Sequence, residues 1–286
     1  MGTSKASRPA RRAGNFLGRL LLRLSAAATA ALLLFLVGVI LVRGLPHISW
    51  TLLTTEESVL NGTVGILPSI VNTLFVVVLT LVIALPLGVG AAIYLTEYAK
   101  NRRLAAAIQF AADILAGIPS ILYALVGVIL FCTAMGLRKT LVAGSLTLVM
   151  MVLPTILRTT QESLRTVPQS YREGALGLGA GRGHMIYTVV LPSAVDGIVT
   201  GCILSIGRVV GESAVLLYTA GLSTSMQSFA PGRIGKASGA TLSAALYLFA
   251  KERSDMDTAF AIAVILLVLT VLIGLAARLA GKKLKK

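Results

Sequence analysis

Six apolar runs, at about 21–42, 68–95, 105–134, 140–160, 193–220 and 259–280, each approach the length that a helix needs to cross the hydrocarbon of a bilayer. Few folds can accommodate that repetition. Lipid offers no partner to a bare backbone N–H or C=O, so a spanning segment must close its hydrogen bonds internally, and runs of this length do so as helices. The chain therefore reads as an all-α polytopic membrane protein with six transmembrane helices. Its composition agrees, with 56% hydrophobic residues, only 13% charged residues and a mean hydropathy of +0.88. The third run is the least regular, because Gln109 and Asp113 lie in its first turns and Pro119 interrupts it.

A net charge of +15 and a pI near 10.4 would point to nucleic acid in a soluble protein. Here the cations cluster between apolar runs, so they report topology and no nucleic-acid partner is inferred. If the N-terminus is cytoplasmic, eighteen of the 26 Lys and Arg residues fall on the cytoplasmic side and seven outside, with Arg208 inside a span. By the positive-inside rule both termini are then cytoplasmic. Lys5, Arg8, Arg11, Arg12 and Arg19 precede the first apolar run as they would in a secretory signal. That run is too long for one, however, and Arg43-Gly44-Leu45-Pro46 follows in place of a small-x-small cleavage site, so the first helix is read as retained.

The expected organisation is a basic cytoplasmic N-terminus (1–20), a first helix with an external loop (21–67), a five-helix domain (68–280) and a basic tail (281–286). Within the five-helix domain lie a cytoplasmic loop at 161–192 and an external connection at 221–258. The start of that connection, with Pro231, reads as flexible; Ala240–Phe249 reads either as a helix in the outer interface or as a plain loop.

Chemistry of its own is not expected of this chain. Cys132 and Cys202 sit in apolar segments with no His or Cys at ligand spacing, so neither a disulfide nor a metal site is indicated. His47 and His184 are isolated, and no nucleophile and base stand together, so the chain is not read as an enzyme and no cofactor is inferred. A phosphate-cradling loop needs two glycines at a fixed spacing followed by Lys and a hydroxyl residue. Gly232-Arg233-Ile234-Gly235-Lys236-Ala237 fails on both the spacing and the hydroxyl.

Two features remain. The loop at 161–192 reads as two short helices with a break: Pro168 suits a helix start, Gly179 and Gly181 suit a left-handed stop, and Pro192 leads into the next span. It carries Glu173 and Ala175, then Gly179 six residues after the Glu, then Leu191-Pro192 twelve residues further on. In the fifth span, Gly201, Ser205, Arg208 and Glu212 recur at a 4-3-4 spacing that places them on one helical face. Charge inside a membrane helix is costly and is usually paired and functional. Either Arg208 and Glu212 form a permanent pair that fixes helix packing, or Arg208 leaves Glu212 to contact a passing oxyanion, for which a guanidinium is well suited.

The pattern of Glu173, Ala175, Gly179, Leu191 and Pro192 resembles the "EAA" loop of ABC importer permeases, with Gly174 where a second Ala is usual and Val189 where Ile is usual. The resemblance implies a type I ABC importer permease fold and a loop that docks on a separate ATPase; an amphipathic helix resting on lipid headgroups is the alternative. Three further stretches are similar to the permease subunit of the phosphate-specific system (PstA-like): Tyr94–Tyr98, Asp113–Ile121 and Leu204–Ala214. That resemblance implies inorganic phosphate as substrate and a place in a bacterial inner membrane. Its implied partners are a second homologous permease subunit, two ATPase subunits and an external phosphate-binding protein. Molybdate, sulfate or methionine remain alternative substrates, and a self-sufficient secondary transporter is a further alternative that would leave the loop unexplained. Asp113 is read as a structural carboxylate, and Glu97 as an ordinary loop residue or an ATPase contact.

Overall fold

A computed structural model describes residues 8–57, 63–226 and 237–284. Lys5, Pro231 and the Gly232–Lys236 stretch lie outside the described residues. The helices are α1 (Arg8–Gly44), α2 (Trp50–Thr54), α3 (Leu67–Ile93), α4 (Arg102–Gly117), α5 (Ser120–Gly127) and α6 (Leu141–Thr166). They continue with α7 (Gln169–Gly177), α8 (Arg182–Met185), α9 (Leu191–Gly211), α10 (Ala214–Thr219), α11 (Leu242–Tyr247) and α12 (Met256–Leu284). Wide π turns extend α3 to Tyr98 and α5 to Ala134, and another joins α8 to α9. Among the described residues five helices are long and apolar enough to cross a membrane, and there are six if the bent pair α4–α5 is counted as one span.

The central helix is α6, whose Leu148, Met151, Val152 and Ile156 are buried against α3, α5, α9 and α10. Membrane helices gain nothing by hiding apolar surface from one another, so close approach depends on small residues at the contacts. A Cβ on Gly88 of α3 would stand 2.6 Å from Ile156 Cγ2, and one on Gly127 or Gly201 would collide with Thr147 or Thr159 of α6. A second cluster, including Leu52, Ile66, Leu242, Phe249 and Ile262, closes one end of the bundle. A third, including Ala92, Leu157, Leu164, Val167, Met185 and Ile186, closes the end that bears α7. By contrast, from Gly18 onward α1 is exposed through most of its apolar length and packs near its end, where Gly44 lies against Phe260 of α12.

Two expectations need correction, and the interruption expected at Pro119 takes a definite shape. The third span bends by 103° between Gly117 and Ser120, because Pro119 breaks the ladder there; Tyr123 Oη bridges the break by donating to Leu115 O at 2.7 Å. The fifth span does not start at Pro192 but runs as one helix from Arg182 to Gly211. Proline removes one N–H from a helix ladder, and here Pro192 follows a π turn in which Leu191 N–H already reaches back to Ile186 O. The segment around α11 is neither an interface helix nor a plain loop. Ala240, Leu242 and Ala244 are fully buried, tied to α3 where Asn72 Nδ2 donates to Ala240 O (2.9 Å) and Leu242 N to Thr73 Oγ1 (2.9 Å).

Candidate functional site

Between α6 and the long α8–α9 helix the chain makes the expected helical knob. Pro168 stands just before α7 with extended backbone (φ −57°, ψ 140°), one position short of the first turn. Gly179 ends the knob in the left-handed region at φ +86°, where a side chain would be strained. Gly181 does not share that role, since it is extended and starts α8. Of the candidate loop residues, Ala175 turns inward onto the Leu164–Met185 cluster, Leu191 packs on the same cluster, and Glu173 points out with Gly179. Pro192 is half-buried just inside α9. The outer surface carries three uncovered apolar side chains beside Glu173: Tyr171 and Leu176 are exposed, and Leu178 is 92% exposed.

What anchors the knob was not visible in the sequence. Arg172 of α7 reaches Glu97, at the end of α3, with Nη2 to Oε1 at 2.8 Å and Nε to Oε1 at 3.2 Å. The side chains are only 12% and 8% exposed, so Glu97 is no solvated loop residue. The same guanidinium donates to Val167 O (2.6 Å) and Leu164 O (2.8 Å) at the end of α6. Asp113 lies 3.6 Å from Arg158 of α6, in a pair that is exposed on both sides. An exposed pair of this kind contributes little.

In the fifth span the expected pair is not formed. Helix α9 stops at Gly211, and Glu212 leaves it in an extended conformation (φ −82°, ψ 113°), so the two residues no longer share a helical face. Glu212 serves the break instead: its carboxylate accepts from Val215 N at 3.3 Å, and its carbonyl accepts from Ser243 Oγ at 2.9 Å. Gly201 and the fully buried Ser205 lie in the bundle, with Gly201 against Thr159 of α6, and Ser205 Oγ has no hydrogen-bond partner among the described residues. Arg208 is half-buried, within electrostatic reach of Tyr123, and no carboxylate among the described residues is within ion-pairing distance of it.

The binding-protein-dependent transport system inner membrane component family matches residues 84–286. The chain belongs to this family. It is a multi-pass permease of the inner membrane, a transport component and not an enzyme. A probable ABC transporter permease protein, YqgI of Bacillus subtilis, is 37% identical over 206 residues, covering 72% of this chain and 70% of that protein. The phosphate transport system permease proteins PstA 1 of Mycobacterium tuberculosis (strain H37Rv) and PstA of Xylella fastidiosa (strain 9a5c) are 39% and 38% identical. Those matches cover 57% and 62% of this chain and only 52% and 62% of the relatives' own lengths. Among solved structures, a bacterial ABC transporter involved in alginate import gives a TM-score of 0.65 at 18% identity, covering 96% of this chain and all of that one. The MetNI methionine ABC transporter gives 0.55 at 22% identity, covering 78% and 95%. The fold is thus that of a type I ABC importer permease.

For this permease, the loop spacing found the knob but not its anchor. Glu97 and Arg172 are 75 residues apart, and no periodicity links them. The one local hint is a carboxylate at the end of an apolar run, and Lys100, Arg102 and Arg103, which follow it, suit a solvated loop equally well.

Proposed function

We propose that the chain is the membrane permease subunit of an ATP-driven importer of inorganic phosphate. The observation that carries the coupling half of this reading is the α7 knob: a short helix with Tyr171, Leu176 and Leu178 uncovered, held from behind by buried groups. A helix resting on headgroups would have no use for a buried anchor, whereas a helix that transmits force needs one. Glu173, Ala175, Gly179, Leu191 and Pro192 form the ATPase-coupling loop on this reading, with ATP hydrolysed by two separate ATPase subunits. A second homologous permease completes the path, and an external phosphate-binding protein delivers the substrate. Both termini are cytoplasmic, in keeping with the cation asymmetry.

Phosphate is favoured by the PstA relatives and by Arg208, a half-buried guanidinium with no carboxylate among the described residues to neutralise it. Arg208 and Ser205 are proposed to border the substrate path, Arg208 as a transient oxyanion contact. Glu212 drops out of the direct pair and holds the end of α9 instead. The test is uptake into vesicles containing the reconstituted complex. ATP-dependent accumulation of phosphate in preference to sulfate and molybdate is expected; transport of another anion alone would overturn the substrate, and indifference to ATP would overturn the class.

A further inference from the structure

The end of α6 poses a local problem that its own sequence does not solve. The last carbonyls of a helix lack intrahelical partners, and they are often met by N–H groups of the residues that follow. Pro168 has no N–H, so the chain just past α6 is short of a donor. The guanidinium of Arg172 supplies two, to Leu164 O and Val167 O, from one turn into the next helix. Its remaining edge meets the Glu97 carboxylate on the π turn that ends α3. One planar, rigid fork thus joins the ends of two membrane helices to the knob between them.

We infer that Arg172 and Glu97 form a transmission clamp that makes α7 move as one body with α3 and α6. The inference rests on the reading that α7 docks on an ATPase. Without the clamp, α7 is held by its two connections, Val167-Pro168 before it and the left-handed Gly179 after it, and by the one small side chain of Ala175 on the Leu164–Met185 cluster, so a push on its outer face could turn the knob in place. With the clamp, the push passes to α6 and to α3, which pack tightly on each other where Gly88 meets Ile156, and α6 packs in turn on the helix that carries Arg208. Arg172 is therefore a positioning residue: it touches no substrate, and its role is to keep hydrolysis and movement in step.

The experiment uses the reconstituted complex and reads ATP hydrolysis and phosphate uptake side by side. In Arg172→Gln, hydrolysis by the associated ATPase is expected to persist while uptake falls about tenfold, a size typical of coupling between linked sites. Glu97→Gln, which keeps one acceptor oxygen, should shift the same ratio less. In a chain cleared of Cys132 and Cys202, the pair Glu97→Cys with Arg172→Cys should be uncoupled until a short bifunctional thiol reagent joins the two positions, whereupon uptake per ATP recovers. Equal loss of hydrolysis and uptake in Arg172→Gln, with no recovery on cross-linking, would reduce the pair to a folding role and overturn the clamp. Unchanged uptake in Arg172→Gln would overturn it as well. If ATP fails to drive uptake in the unsubstituted complex, the importer reading falls and takes the clamp with it, a result that is seen before any substitution is made.

Discussion

Arg172 at the base of the knob and Arg208 in the fifth span are both drawn away from bulk water, yet their surroundings differ in kind. Arg172 is met by a carboxylate and two carbonyls, so its charge is neutralised and its donors are occupied. Arg208 has no carboxylate within reach among the described residues. A guanidinium that is fully matched resists displacement and suits a joint. One that is unmatched can accept an anion without first giving up a partner. The contrast predicts that the two arginines fail differently, Arg208 in transport alone and Arg172 in stability and coupling.

The largest effect should come from Arg208→Gln. Uptake is expected to drop to background, a loss of about a hundredfold or more if the charge is a needed oxyanion contact, in line with removing a single electrostatic contact at a reacting site. Assembly and thermal stability should stay close to those of the unsubstituted protein, since no buried carboxylate is left behind. Substantial uptake by Arg208→Gln would remove Arg208 from the path and return it to a packing role. Arg208→Lys should sharpen the point by retaining part of the activity, because an ammonium keeps the charge but not the bidentate geometry.

Arg172→Gln reverses the pattern in stability. It leaves Glu97 buried without its cation, and breaking a buried pair from one side costs about 3 kcal/mol or more. A lowered melting temperature of the purified complex in detergent is therefore expected, with Arg172→Lys rescuing it poorly, since one ammonium cannot span Glu97, Val167 O and Leu164 O together. A melting temperature like that of Arg208→Gln would erase the distinction between the two sites.

Gly201 tests whether the face behind Arg208 is a packed contact. A Cβ there would collide with Thr159, and overfilling a tight contact costs about 1–3 kcal/mol. Gly201→Val should lower stability by that order and reduce uptake only in part, as α9 shifts and carries Arg208 with it. A variant that is fully stable would mean that α6 and α9 yield easily at this point.

How much of this could be read from the chain depends on the range of the interaction. The existence of the spans and of the knob was legible because apolar length, Pro168 and Gly179 act locally. The break at Pro119 was marked by the proline itself. The break at Glu212 was not, because Gly211-Glu212-Ser213 lies between two apolar stretches that read together as one span, and the helix stops where Glu212 can serve α10 and Ser243 from outside the ladder. The 4-3-4 spacing assumed an unbroken helix, so it paired Arg208 with a residue that had already left it. Burial of the α11 segment was illegible for a related reason: a short apolar stretch after a Gly- and Ser-rich connection fits an interface as well as a core, and only Asn72 and Thr73, far back in the chain, decide it.

A charge that is neither buried nor near the path should matter least, and Asp255 is such a charge. It precedes α12, where Oδ1 accepts from Thr258 N at 3.1 Å, and hydrogen bonds with Thr258 hold its carboxyl below the usual carboxylate range. A depressed carboxylate pKa adds stability that is fully present above the unfolded value and is lost as pH falls through the lower folded value. Asp255→Ala should therefore cost about 1 kcal/mol near neutral pH, the usual loss for a helix cap. The difference from the unsubstituted protein should close as the medium is acidified below the ordinary carboxylate range, while phosphate uptake at neutral pH changes little. If Asp255→Ala instead impaired uptake as deeply as Arg208→Gln, the start of α12 would belong to the transport path, and the division between matched and unmatched charges would have to be redrawn.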